Sequence, residues 1–135
     1  MSTFRQAVEA RDLKAIENLL ADDVVFLSPI VFKPYPGKAI TMAILANVIQ
    51  VFENFRYVKE IGSEGDSEHA LVFEAEVNGK SLTGCDFLRF NAEGKIDEFM
   101  VMVRPLNTAQ ELANEMGARF EQIVEQATEY MQQHP

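Results

Sequence analysis

The sequence predicts a single α+β domain with helices first, a mostly antiparallel sheet next and an additional C-terminal helix. Its 135 residues, 47% of them apolar, are enough to form one hydrophobic core without disulfides or metals. Apolar residues recur at helical spacing in the first fifty residues and then alternate with a period of two from Phe55 onward. No repeat, linker or low-complexity tract divides residues 1–135, which we therefore expect to form one domain.

Two short helices are predicted at the start of the chain, because apolar residues there recur every three or four positions. The pattern breaks near Asp12, which is a suitable N-cap for the second helix. We expect Asp22 and Asp23 to end that helix, so that residues 24–27 form a short strand. A proline-rich loop follows, and residues 39–52 then predict a helix that is apolar nearly all round and buried on several sides.

Four consecutive antiparallel strands are predicted after residue 55, separated by turn residues at 62–67, 78–79 and 91–94. Asn78-Gly79 is the strongest hairpin signal, because a two-residue type I′ turn requires positive φ at both positions. After Arg104-Pro105, one apolar stripe predicts a long C-terminal helix interrupted by Gly117. Its members are Leu112, Met116, Phe120, Ile123, Ala127 and Tyr130.

Asp86 is the most informative polar residue, because strand alternation places it on the same face as Leu82, Gly84 and Leu88. A carboxyl group in such surroundings loses hydration, which raises its pKa and favours a protonated, hydrogen-bond-donating form. Asp86 is therefore the first candidate for contact with a ligand. The alternative is a structural role, in which backbone or a neighbouring Tyr satisfies the carboxyl group.

The last predicted strand is apolar on both faces, with Phe99, Val101 and Val103 on one side and Met100 and Met102 on the other. One face can lie inside the domain. The other, carrying the methionines, predicts a homodimer interface, since methionine adapts to irregular contacts. Burial of that face under the C-terminal helix of the same chain is the alternative.

Net charge and residue types exclude several function classes. With 12 Lys+Arg against 21 Asp+Glu, the formal charge of −9 disfavours nucleic acid and membrane partners and leaves a small hydrophobic molecule as the expected ligand. Cys85 is the single cysteine, and the two histidines, His69 and His134, lie far apart in sequence, so we expect neither a metal site nor a cofactor. Early charges leave no room for a signal peptide, which predicts a cytoplasmic protein.

The order of elements resembles the nuclear transport factor 2-like (NTF2-like) fold, in its SnoaL-like branch. Residues 11–24 are similar to the opening of that family, and residues 86–96 to its penultimate hairpin. The resemblance implies a curved sheet wrapped on helices as a cone, with an apolar pocket, and commonly a homodimer formed through the outer sheet face. The residues expected to line the pocket are Phe4, Phe26, Ser28, Phe73, Leu82, Leu88, Phe99, Val101 and Val103.

Related enzymes have catalytic residues that this chain has only in part. Against ketosteroid isomerases, the hydrogen-bonding acid falls on Asp86, whereas Ser28 stands in place of the aspartate base and Phe4 in place of the tyrosine donor. Residues 98–101 likewise lack the His and Asp of SnoaL-type cyclases. Classical steroid isomerisation is therefore not expected.

Two functional hypotheses remain from the sequence. In the first, the domain binds a small hydrophobic molecule and, if it is an enzyme, performs isomerase- or cyclase-like proton chemistry on a carbonyl compound. Asp86 would donate to the carbonyl oxygen, with Tyr57 or His69 as candidate bases. In the second, the domain is a non-catalytic homodimeric interaction module whose pocket is filled by its own side chains.

Overall fold

The computed structural model describes residues 3–135, and its five helices and six strands confirm the predicted α+β class. The helices are α1 (Thr3–Glu9), α2 (Leu13–Leu19), α3 (Lys38–Val51), α4 (Leu106–Ala118) and α5 (Phe120–Gln133). The strands are β1 (Leu20–Leu27), β2 (Tyr35–Pro36), β3 (Glu53–Ile61), β4 (Glu68–Val77), β5 (Lys80–Phe90) and β6 (Ile96–Arg104). They form one sheet in the order β2-β1-β6-β5-β4-β3.

The two N-terminal helices form as predicted, but the boundary between α2 and β1 differs from the prediction. Asp12 caps α2, and its carboxylate accepts a hydrogen bond of 3.1 Å from the backbone N–H of Ala15. The prediction that Asp22 and Asp23 end the helix is wrong, since α2 ends at Leu19 and both aspartates lie within β1. They occupy an irregular stretch of the β1–β6 pairing, where exposed carboxylates remain hydrated.

The four-stranded antiparallel meander β3 to β6 is confirmed, as is its tightest turn. Asn78 and Gly79 have φ values of 51° and 80°, which are the positive values that a type I′ turn needs. The sequence did not predict that β1 pairs in parallel with β6, nor that the two-residue strand β2 extends the sheet beyond β1.

The inner face of the sheet packs on α3 and forms the hydrophobic core. Leu71, Phe73, Leu82 and Leu88 are each at most 3% exposed on this face, in agreement with strand alternation. Helix α3 is buried on several sides, as its composition predicts, because it lies against α5 as well as β1. Even its polar Asn47 is only 1% exposed.

The C-terminal segment forms two helices instead of one interrupted helix. Gly117 lies inside α4, and the chain changes direction at Arg119, the residue that ends α4 and begins α5. A polar cluster holds α5 on α3: the Asn47 side chain donates to Gln126 at 2.7 Å and accepts from Gln122 at 3.0 Å and from Arg119 at 3.4 Å. These bonds satisfy a buried amide that would otherwise destabilise the core.

The outer face of the sheet is left largely uncovered by the C-terminal helices. Met102 is 53% exposed and Phe87 is 37% exposed, so this chain alone does not bury the face. The alternative in which the C-terminal helix covers it is therefore not what the structure shows. Within residues 3–135, no helix is long and apolar enough to cross a membrane.

Candidate functional site

A cavity of about 340 Å³ lies between the inner face of the sheet and the helices. Helix α3 forms one wall, α1 and β1 form a second, and the two C-terminal helices close a third. The aromatic and aliphatic side chains that dominate its lining are Phe4, Val8, Ile16, Phe26, Ile44, Leu45, Val48, Ile49, Phe52, Phe55, Phe73, Phe99, Val101, Leu112, Met116 and Ile123. A volume in this range suits a small molecule.

Exposure of the lining residues distinguishes the interior of the cavity from its mouth. Phe73, Phe99 and Tyr57 are at most 5% exposed and mark the interior. Ile30 and Val31, on the loop after β1, together with Phe120 at the start of α5, are 40–48% exposed and mark the mouth. The cavity therefore opens toward solvent between the proline-rich loop and the junction of α4 with α5.

Asp86 lies in the interior of the cavity, on the inner face of β5. Its cross-strand neighbours are Leu71 on β4 and Val101 on β6, and its exposed fraction is 6%. The Tyr57 hydroxyl donates a hydrogen bond of 2.8 Å to carboxyl oxygen Oδ2 of Asp86. Because Tyr57 comes from β3, the carboxyl group is fixed by a residue two strands away in the sheet.

Aromatic packing orients the tyrosine. The ring of Tyr57 meets that of Phe55 edge to face at a centroid separation of 5.0 Å, and that of Phe73 at 6.3 Å. These contacts hold the phenol within the apolar interior, where its hydroxyl needs a buried acceptor. Asp86 is that acceptor, so each residue satisfies the other.

Burial shifts the protonation equilibria of both groups in the same direction. It raises the pKa of the Asp86 carboxyl to about 7, and the hydrogen bond from Tyr57 only partly opposes the shift. Burial and the adjacent carboxyl group raise the pKa of Tyr57 well above its usual range. Near neutral pH, both the protonated and the ionised form of Asp86 are therefore populated, whereas Tyr57 stays protonated and acts only as a donor.

Among the residues predicted to line the pocket, the structure places six at this cavity and three elsewhere. Those at the cavity are Phe4, Phe26, Ser28, Phe73, Phe99 and Val101. Leu82, Leu88 and Val103 share the inner face of the sheet but do not border the cavity. The face extends beyond the cavity along each strand, and the 2–3% exposed fractions of Leu82 and Leu88 show that they fill the core.

Of the two candidate bases, neither has the arrangement that a base requires. Tyr57 lines the cavity, but its raised pKa and its bond to Asp86 make it a donor. His69 does not line the cavity and packs edge to face on Phe90 at 5.1 Å. Both ring nitrogens of His69 are buried without a hydrogen-bond partner among the described residues, so the imidazole behaves as a packing element.

Ser28 and Phe4 have structural roles at the cavity. The Ser28 hydroxyl oxygen accepts from the backbone N–H of Ile30 at 3.0 Å and of Val31 at 3.3 Å, and so shapes the loop at the mouth. The Phe4 ring meets the Phe99 ring edge to face at 5.4 Å. As the sequence predicts, neither residue supplies the base or the phenolic donor of a ketosteroid isomerase.

Several residues that line the cavity were not predicted from the sequence to do so. Arg11, in the turn between α1 and α2, borders the cavity, as do Tyr35 on β2 and Phe120 on α5. Tyr35 follows a proline-rich loop that gives no periodicity to interpret. The contribution of α5 depends on the change of direction at Arg119, although the apolar stripe through Phe120 did indicate a contact face.

The cavity contains few groups that could hold a metal or cofactor. Asp86 supplies the only carboxyl group among its described lining residues. In residues 3–135, no three His, Cys, Asp or Glu side chains converge as metal ligands. The arrangement is suited to an apolar molecule with one oxygen that meets the buried carboxyl group.

Comparison with known proteins supports the fold and the family. The profile of the SnoaL-like domain matches residues 2–99, more than two thirds of the chain. A steroid delta-isomerase from Pseudomonas aeruginosa is 38% identical and has a TM-score of 0.83, with 90% of this chain and 89% of that chain covered. No curated protein matches the sequence significantly.

Two further crystal structures share the architecture. An uncharacterised bacterial protein with a cystatin-like fold, from Silicibacter pomeroyi, is 32% identical with a TM-score of 0.81, and 92% of this chain and 91% of that one are covered. An NTF2-like protein of unknown function from Cytophaga hutchinsonii is 19% identical with a TM-score of 0.58, over 76% and 85% of the two chains. The latter similarity concerns the fold alone.

Proposed function

The chain belongs to the SnoaL-like family of the NTF2-like superfamily, and from this premise we propose that it binds a small apolar carbonyl compound in its cavity. In the proposed complex, protonated Asp86 donates a hydrogen bond to the carbonyl oxygen while Tyr57 holds the other carboxyl oxygen. The observation that carries the proposal is this buried pair, with its 2.8 Å bond, in an otherwise apolar cavity. A ketone gives the carboxyl proton the acceptor that the cavity walls lack.

The cavity itself favours ligand binding over the alternative of an interaction module with a filled pocket. Bulky side chains such as Phe73 and Phe99 leave about 340 Å³ between them. An apolar space of this size is unfavourable when empty, because its walls lose dispersion contacts. A ligand that occupies the space restores those contacts, and it stabilises the native state by mass action.

A thermal-shift screen tests the binding proposal. The screen contains apolar ketones, phenols, terpenoids and fatty acids, with hydrocarbons of matched size as controls. We expect ketones to raise the melting temperature more than hydrocarbons do, since only ketones offer an acceptor to Asp86. Flat melting curves for every class would contradict the proposal and favour the interaction module.

The same site supports proton transfer as a second candidate function. A carboxyl group with a pKa of about 7 is present in both protonation states near neutral pH. In its acid form Asp86 transfers its proton to the carbonyl oxygen. The carboxylate that remains then accepts a proton from the adjacent carbon, which leaves the enol, and the reverse steps return the ketone. The similarity to a steroid delta-isomerase supports this isomerase-like chemistry without identifying a substrate.

Exchange of the α-protons of a bound ketone for deuterium measures this chemistry directly by NMR. We expect the wild-type protein to accelerate exchange and Asp86→Leu to abolish the acceleration. Asp86→Asn is expected to bind the ketone without accelerating exchange, because an amide does not act as a base. Acceleration that persists in both variants would assign the chemistry to another group.

We further propose that the protein forms a homodimer through the outer face of the sheet. An outer apolar band is formed by Val72, Cys85, Phe87, Met100 and Met102, which alternation and strand register place together. Phe87 lies directly opposite Met100, and Cys85 opposite Met102. Exposed apolar side chains in a contiguous group favour association.

Light scattering coupled to size-exclusion chromatography tests the dimer. Met100→Glu should produce monomers, because association would bury a carboxylate without a partner. The matched control is Met131→Glu, which changes a methionine that is 55% exposed on α5 and outside the outer apolar band. A monomeric wild-type protein, or equal effects of the two substitutions, would contradict this interface.

A further inference from the structure

Arg11 is the one cationic side chain among the described residues that line the cavity. It belongs to the exposed part of the lining, together with Ile30, Val31 and Phe120, whereas Asp86 belongs to the buried part. The cavity therefore has a carboxyl group in its buried interior and an arginine in the exposed part of its lining. Apolar side chains separate the two.

The charge of Arg11 has no carboxylate partner within residues 3–135. The carboxylates nearest to it in sequence are engaged elsewhere. Glu9 pairs with Arg5 at 3.3 Å, and Asp12 accepts from the backbone N–H of Ala15 at 3.1 Å. Glu17 pairs with Lys14 at 3.2 Å. In a chain with a formal charge of −9, a guanidinium without a carboxylate partner beside an apolar cavity is available to an anionic ligand.

The backbone turn at residue 11 places the Arg11 side chain at the cavity, but the turn itself does not need an arginine. Arg11 has a φ of 54°, in the left-handed region that glycine adopts most easily. Its N–H donates to the carbonyl of Val8 at 3.0 Å, and the N–H of Asp12 donates to the carbonyl of Ala7 at 2.9 Å, so the turn is well ordered. Glycine would form this turn with less strain. The arginine side chain is thus dispensable for the turn and is placed for contact with the cavity.

We propose that the ligand is an apolar oxo acid whose carboxylate pairs with Arg11 at the mouth of the cavity. This inference rests on the proposed function, because the oxo group is the oxygen that meets Asp86 in the interior. The aliphatic or aromatic body of the ligand occupies the space between them. The reverse orientation would place a carboxylate against Asp86 in an apolar environment, which like-charge repulsion and desolvation disfavour.

Isothermal titration calorimetry with three matched probes tests the inference. The probes are oxononanoic acid, its methyl ester and the ketone nonanone, measured at low ionic strength. We expect the acid to bind about three- to fivefold more tightly than the ester, the range for a solvent-accessible ion pair. Added salt should reduce this preference, because exposed charges are screened. The net negative charge of the protein by itself would favour the ester.

Variants at Arg11 assign the preference to this side chain. Arg11→Gln should bind acid and ester equally, and Arg11→Lys should keep part of the preference. The matched control is Arg104→Gln, which removes an exposed arginine that borders a different surface depression and has no carboxylate partner among residues 3–135. Arg11→Gly should also bind acid and ester equally while melting at or above the wild-type temperature, which would show that its loss of preference is not a loss of folding.

The outcomes separate this inference from the proposed function. If the ketone and ester bind but the acid binds no better, the pairing with Arg11 is refuted and the carbonyl-binding function stands. If none of the three probes binds, the carbonyl-binding function is contradicted together with the inference. Equal losses in Arg11→Gln and Arg104→Gln would indicate a general electrostatic effect and would also refute the pairing.

Discussion

Asp86→Asn is expected to change how the stability of the protein depends on pH. Burial raises the pKa of the Asp86 carboxyl from 3.8 to about 7 in the native state, whereas the unfolded chain keeps the ordinary value. Ionising Asp86 therefore costs the native state about 4 kcal/mol more than it costs the unfolded chain. This is an upper bound, because water entering the cavity reduces the desolvation of the carboxylate.

The sign of the effect follows from which state holds the proton. Between the two pKa values the native state keeps the proton and the unfolded state has released it, so rising pH favours unfolding. The contribution of Asp86 is fully present below a pH of about 4 and falls by about 1.4 kcal/mol per pH unit. It is lost by about pH 7, and the decrease between about pH 5 and about pH 8 is about 2–3 kcal/mol.

Urea unfolding followed by circular dichroism measures this decrease. Asn at position 86 keeps an oxygen that accepts from Tyr57 but does not ionise, so the variant lacks the Asp86 contribution. The difference between the free energies of unfolding of the two proteins cancels the other titrating groups. We expect the variant to gain about 2–3 kcal/mol relative to wild type between about pH 5 and about pH 8. Parallel pH profiles for the two proteins would refute a buried carboxyl group with a raised pKa.

Two further predictions concern packing. Gly84→Ala should destabilise the protein by about 1–3 kcal/mol in urea unfolding, because the new Cβ would overlap the Phe73 ring. Gly117→Ala adds a Cβ that meets open space within α4, so it should instead stabilise the protein by up to about 1 kcal/mol. Destabilisation of similar size in both variants would contradict the explanation from the Phe73 overlap. Asn47→Ala should lower the free energy of unfolding by about 1–3 kcal/mol, because its buried partners on α5 lose their hydrogen bonds. Limited proteolysis should then release α5 first. Unchanged stability would show that water replaces these bonds.

The fold was largely predictable from the sequence because its elements carry local signals. The capping carboxylate of Asp12 and the positive φ values of Asn78-Gly79 depend only on neighbouring residues. The parallel pairing of β1 with β6 joins segments about seventy residues apart, and no local pattern specifies it. The boundary at Asp22 was misplaced because charged residues occur both in turns and in irregular parts of strands.

The candidate site was predictable only in part. Alternation along β5 placed Asp86 on the apolar inner face, which required no tertiary information. Its pairing with Tyr57 depends on the register of β3, where the pairing with β4 is irregular between Tyr57 and Lys59. The positions of Arg11 and Phe120 at the mouth depend on how two turns pack against the sheet. Periodicity does not encode such packing.

The affinity of a simple ketone for wild type, Asp86→Asn and Asp86→Leu tests the central claim most directly. Calorimetry with nonanone gives all three dissociation constants under the same conditions. We predict similar affinities for wild type and Asp86→Asn, because the amide still donates a hydrogen bond, and a loss of about tenfold or more in Asp86→Leu. Equal affinity in all three proteins would show that Asp86 does not contact the carbonyl oxygen and would contradict the account.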